Sequence, residues 1–68
     1  MTVLVAVNGE QRTVPVGTTL GQLVATVTGL PAGIAAAVNS EIVPRRAWDG
    51  MALRDGDRVE VVTAVQGG

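Results

Sequence analysis

The sequence predicts an α+β fold in which one helix packs on one face of a mixed β-sheet. Three observations predict it. A short β-branched run ends on Asn8-Gly9 and is followed by an alternating run, which reads as a hairpin. The apolar spacing then switches to helical over Leu20 to Val27. Finally, a second strongly apolar strand closes the chain. With 68 residues, residues 1–68 form a single domain. A domain this small buries only about 60% of the surface its unfolded chain exposes, so its core must be efficient.

Thr2 to Val7 (TVLVAV) is apolar at nearly every position, the pattern of a strand buried on both faces. Asn and Gly suit a two-residue turn in which both central positions need φ > 0. The return strand, Glu10 to Val16, sets Arg12, Val14 and Val16 against Gln11, Thr13 and Pro15. Proline cannot donate to a ladder, so Pro15 marks an edge strand or a strand end. Leu20, Leu23, Val24 and Val27 then fall at i, i+3, i+4 and i+7. Thr19 is the expected N-cap, with Gln22 at N3 completing a capping box. Gly29 suits the C′ position, and Pro31 stops the helix. Gly21 inside the helix costs about 1 kcal/mol relative to alanine, so packing must hold the helix.

After the loop Pro31-Ala32-Gly33, Ile34 to Asn39 reads as a third strand of small side chains. Ser40-Glu41 is turn-like, and Ile42-Val43 is a brief strand ended by Pro44. Arg45 to Leu53 reads as irregular or a single helical turn, with Trp48, Met51 and Leu53 closing the core. Asp55-Gly56-Asp57 is a turn signal. Arg58 to Val65 is the last strand, with Val59 and Val61 on one face and Glu60 and Val62 on the other. The compact solution places the first and last strands adjacent and parallel in the centre of the sheet. That is the ubiquitin-like β-grasp arrangement.

The composition narrows the chemistry. Histidine, cysteine, lysine and tyrosine are absent. Most general bases and activated nucleophiles are thereby removed, as are disulfides and Zn–thiolate sites. The six carboxylates are scattered except for Asp55 and Asp57. That pair reads as turn caps, because Asp side chains accept from nearby backbone N–H groups, and no metal site is expected. The five basic residues are all arginine and the net charge is −1. With Trp48 as the sole aromatic, no nucleic-acid footprint exists. No apolar run approaches the roughly 20 residues of a membrane span. The first residues do not read as a secretory signal, and a cytoplasmic location is expected. Arg45 and Arg46 read as a solvated pair. Trp48 reads as an anchor at the edge of the core whose indole N–H needs a partner.

The end of the sequence, Val65-Gln66-Gly67-Gly68, carries the functional question. One reading is a frayed end. The other is that the Gly68 carboxylate is the reactive group and the rest of the chain is its handle. Gly67 and Gly68 have no Cβ and fit a narrow tunnel, and four extended residues reach up to ~14 Å. Val62 and Val65, at the base of this stretch, are candidates for partner contact.

The residues Val7-Asn8-Gly9-Glu10, Ala37-Val38-Asn39, Ile42-Val43-Pro44-Arg45 and Trp48 carry a family resemblance, as do Leu53-Arg54-Asp55-Gly56-Asp57 and Gly67-Gly68. Together they resemble the ThiS-type sulfur carriers of thiamine biosynthesis, along nearly the whole chain. The related molybdopterin-synthase small subunits share the Asp-Gly-Asp turn and the Gly-Gly end, but usually carry a proline pair where this chain has Thr63-Ala64-Val65.

The resemblance implies a protein cosubstrate rather than an enzyme. Gly68 would be adenylated with ATP by an E1-like enzyme of the ThiF type, and Gln66 and Gly67 would thread that enzyme's active site. A sulfur donor such as a cysteine desulfurase would then convert Gly68 to a thiocarboxylate, which passes its sulfur to thiazole synthase of the ThiG type. No bound cofactor is implied. The alternatives are a carrier for molybdopterin or cysteine synthesis, or a ubiquitin-like binding module with an inert tail. The absence of lysine argues against a modifier that builds chains on itself.

Overall fold

A computed structural model describes residues 1–29 and 33–63. The elements are β1 (Thr2–Val7), β2 (Glu10–Pro15), α1 (Leu20–Val27), β3 (Ile34–Val38), β4 (Glu41–Val43), a 3-10 helix (Arg45–Gly50) and β5 (Arg58–Thr63). The five strands form one sheet in the order β2-β1-β5-β3-β4. β1 and β5 are parallel and central, and the other pairs are antiparallel. This is the β-grasp arrangement, with the two hairpins flanking β5.

The core lies between the sheet and α1. Val3, Val5 and Val7 of β1, Val59 and Val61 of β5, and Ala36 and Val38 of β3 face Leu20, Leu23 and Val24 of the helix, with Trp48 and Leu53 completing the core. The helix begins as its sequence dictates. The Gln22 N–H donates to Thr19 Oγ1 (3.1 Å), and the Thr19 N–H donates to Gln22 Oε1 (3.0 Å). The first turn is also tied to the segment after the 3-10 helix. Leu20 N–H donates to the Met51 carbonyl (2.8 Å) and Leu53 N–H to the Thr18 carbonyl (2.9 Å). The start of an eight-residue helix is thus stapled by tertiary bonds, which matters because so short a helix is marginal alone.

Several local expectations are corrected. β1 is not buried on both faces: Val3, Val5 and Val7 are buried, while Thr2 and Leu4 are exposed. A single helix covers a single face, so a central parallel pair here leaves its other side open. β2 ends at Pro15 rather than Val16, although Val16 N–H still donates to the Met1 carbonyl (2.9 Å). The second tight turn is Asn39-Ser40, one residue earlier than Ser40-Glu41, because Glu41 pairs with Val38. Gly29 follows the C-cap Thr28 but not in the left-handed region; Thr28 is extended and its N–H bonds back to the Val24 carbonyl. Arg45–Gly50 is a full six-residue 3-10 helix, longer than a single turn. The predicted strand residues Ala64 and Val65, and Pro31-Ala32 of the predicted loop, lie outside the described residues.

Gly21 has a reason that helical propensity misses. A Cβ there would come 2.5 Å from Asp49 Oδ1 and 3.5 Å from Trp48 Cβ. The bare Cα leaves room for the Asp49 carboxylate over the first turn of α1, while the Trp48 Cβ stands at ordinary contact distance.

Candidate functional site

The candidate site is the exit of β5 and the open face of the sheet beside it. β5 is gripped along both edges. On the β1 side the direct ladder is short, with Ala6 opposite Arg58 and Val7 opposite Val59. Asp57 accepts from Ala6 N–H (2.9 Å) and Val59 from Asn8 N–H (2.9 Å), both through their carbonyls. There β1 turns away into its hairpin, and the Asn8 side chain continues the ladder. Val61 N–H donates to Asn8 Oδ1 (2.8 Å), and Asn8 Nδ2 donates to the Val61 carbonyl (3.2 Å). A primary amide presents one acceptor and one donor like a peptide group, so it can stand in for the next residue of a strand.

On the β3 side the pairing runs from Val38 opposite Val59 to Ile34 opposite Thr63. Asn39 holds the beginning of β5 there. Its N–H donates to the Arg58 carbonyl (2.7 Å) and its Oδ1 accepts from Arg58 N–H (2.9 Å). Asn39 Nδ2 also reaches Asp57 Oδ1 (3.0 Å), while Asp57 Oδ2 accepts from Arg54 N–H (2.8 Å). Asp55 Oδ1 accepts from Leu4 N–H (2.7 Å), and Gly56 turns the chain at φ +89°. The Asp-Gly-Asp turn is therefore a structural knot at the foot of β5, as expected. Among the described residues no group of three or more His, Cys, Asp or Glu side chains could hold a metal.

The open face carries the exposed apolar residues. Val62 is 63% exposed and sits opposite Ala35. Ile42 is 80% exposed and sits opposite Ala37, which is itself opposite Glu60. Leu4 lies on the same face of β1, partly exposed. A shallow depression is lined by Ala35, Ala37, Ile42, Glu60 and Val62. Small alanines between two branched residues make this face hollow rather than flat.

Val62 is thus where the alternation of β5 put it. Val65, Gln66, Gly67 and Gly68 lie outside the described residues. Sequence reasoning missed Ile42 and Leu4 as parts of the face, because β1 was read as doubly buried and β4 as a mere strand fragment. It also took Asn8 for a turn residue alone and Asn39 for a strand end. Trp48 is a core residue, 5% exposed, and its Nε1–H donates to the Val43 carbonyl (2.9 Å). Arg45 is not simply solvated: its guanidinium lies 5.3 Å from the centroid of the Trp48 ring.

A family model, the ThiS family, matches residues 5–68. The chain belongs to the ThiS family. Its fold is similar to the crystal structure of the thiamine biosynthesis protein ThiS from Geobacter metallireducens, with 28% sequence identity and a TM-score of 0.74. That match covers 97% of this chain and 100% of the Geobacter chain. A search of curated proteins found no significant match. The ThiS-family match takes in Ile42 and Val62 of the open face, both asparagine clamps and the Gly67-Gly68 end. No helix among the described residues is long and apolar enough to cross a membrane.

Proposed function

We propose that this ThiS-family protein is a sulfur carrier for thiazole formation in thiamine biosynthesis, working in the cytoplasm. The observation that carries this reading is the family match running through residue 68, on a β-grasp fold with β5 at the centre of its sheet. The chemistry belongs to the Gly68 carboxylate. A terminal carboxyl with an ordinary pKa of roughly 3.5 is ionised near neutrality. Its oxygen attacks the α-phosphorus of ATP on a ThiF-type enzyme, and pyrophosphate leaves. The terminal sulfur of a persulfide, supplied by a donor such as a cysteine desulfurase, then attacks the acyl carbon and AMP leaves; a second thiol cleaves the acyl disulfide so formed, releasing the thiocarboxylate and leaving a disulfide between that thiol and the donor. The resulting thiocarboxylate delivers its sulfur to a ThiG-type thiazole synthase.

Gln66 and Gly67 thread the partner's active site, where exclusion of water protects the labile acyl-adenylate. Val62, Ile42 and Leu4 contact the partner through the open face, since an exposed apolar patch is a natural docking surface, and Val65 is a further candidate for partner contact. The chain supplies no catalytic side chain in this scheme, and ATP is the partner's cosubstrate.

The test is intact-mass analysis after incubation with the adenylating enzyme, ATP and a sulfur source. Exchange of one oxygen for sulfur at Gly68 is expected, and deletion of Gly68 should abolish it. A deletion strain should require thiamine and keep its molybdoenzyme activity. Loss of molybdoenzyme activity or cysteine auxotrophy would instead assign the carrier to those pathways. An unchanged mass with the wild-type chain would leave only a ubiquitin-like binding module.

A further inference from the structure

We propose that the open face recognises one basic side chain of the adenylating enzyme, an arginine or lysine. Its stem lies in a trough along β3 and its charged head meets Glu60. The proposal takes its partner from the sulfur-carrier reading above and names what that partner must present.

The trough follows from the register. Ile42, Ala37 and Glu60 lie side by side across β4, β3 and β5, and Ala35 lies beside Val62. The two alanines form the floor, Ile42 forms one wall, and Glu60 and Val62 form the other. The walls stand on strands two spacings apart, about 10 Å, which leaves room for one extended side chain. Glu60 is exposed. Among the described residues the only ion pair joins Arg12 to Glu10, and Glu60 has no partner for its carboxylate. Arg58, two residues back on the same face of β5, does not pair with it.

Covering this trough with a purely apolar surface would take the Glu60 carboxylate out of water unpaired, which costs several kcal/mol. Carboxylates are depleted at the cores of interfaces for that reason. A basic side chain satisfies both halves of the trough. Its methylene stem covers the alanines between Ile42 and Val62, and its head supplies the missing charge. The same carboxylate repels an acidic partner, so Glu60 acts as a specificity residue within an otherwise apolar face.

The test is the Kd for the adenylating enzyme, measured by calorimetry without ATP at about 50 mM and about 500 mM salt. Glu60→Gln keeps the shape of the side chain and removes its charge. It should weaken binding about tenfold at low salt, and by less than about threefold at high salt, where the pair is screened. Glu60→Arg should bind more weakly still. Glu60→Leu separates the two kinds of partner surface: it should bind more weakly than wild type, whereas tighter binding would show an apolar surface over the trough. Glu41→Gln is the control for net charge. Glu41 sits opposite the buried Val38 and so lies on the other side of the sheet; its loss should leave Kd unchanged. Weakening by Glu41→Gln equal to that of Glu60→Gln, an unchanged Kd in Glu60→Gln, or a loss insensitive to salt would each overturn the proposal.

Intact mass after addition of ATP and a sulfur source judges the carrier reading separately. A wild-type chain that is modified, but whose Kd ignores Glu60, keeps that reading and loses the basic side chain. One that binds with the expected charge dependence and is never modified loses the carrier reading alone. Absence of any binding would overturn both.

Discussion

Four residues with left-handed backbone make the two tight turns, and they are not equivalent. Asn8 (φ +50°) and Gly9 (φ +84°) form the first, and Asn39 (φ +52°) and Ser40 (φ +73°) the second. Asparagine tolerates this region, glycine is free in it, and serine is neither. Ser40 is exposed, and among the described residues its side chain makes no hydrogen bond that would compensate. A left-handed conformation costs a residue with a Cβ roughly 1–2 kcal/mol, against which glycine loses some entropy advantage in the unfolded chain. Ser40→Gly is therefore expected to stabilise the protein by about 0.5–1 kcal/mol, measured as a raised denaturation midpoint at constant m-value. A lowered midpoint would mean that Ser40 has a favourable contact in solution. At both turns the asparagine does more than turn. Its amide faces β5, so the two hairpins hold that strand from both sides.

At the level of elements, the junction of α1 and the 3-10 helix holds a residue that helical propensity disfavours. Gly21 weakens α1 by about 1 kcal/mol of propensity, and its bare Cα leaves room only for the Asp49 carboxylate over the first turn. The nearest obstacle to a methyl group is the carboxylate tip of an exposed aspartate, which can rotate away; the Trp48 Cβ at 3.5 Å is ordinary contact. Gly21→Ala is therefore expected to stabilise the domain by up to about 1 kcal/mol, with Asp49 displaced in the variant's structure. Destabilisation would mean that the 3-10 helix itself had been pushed off, and near-ultraviolet circular dichroism of Trp48 would report it. The edges of the sheet follow the same economy: β2 stops at Pro15, and the three-residue β4 stops before Pro44. Proline at each edge strand's end limits unwanted strand pairing.

For the molecule as a whole, one face of the sheet is spent on the core and the other exposes Leu4, Ile42 and Val62. Arginine at Val62 or Ile42 would place a cation in the middle of the hollow apolar face. In the ThiS-family reading it should raise KM for the adenylating enzyme about tenfold, equivalent to about 1.4 kcal/mol at a docking hot spot. Both positions are strongly exposed, so the melting temperature should move by less than about 4 °C. A lost fold, or an unchanged KM in both variants, would remove the open face from the docking surface.

The sequence by itself determined the β-grasp order of elements, the capping box, the Asp-Gly-Asp turn and the alternation that exposes Val62, because each rests on bonds or periodicities within a few residues. The sulfur-carrier family was also legible, in motif blocks spread along nearly the whole chain. What only the tertiary structure decided was which side of β1 stays open, why Gly21 is bare, and what the two turn asparagines hold. Those depend on pairing across the chain: Asn8 meets Val61 from 53 residues away. A turn amide gives no local sign of the strand edge it will complete.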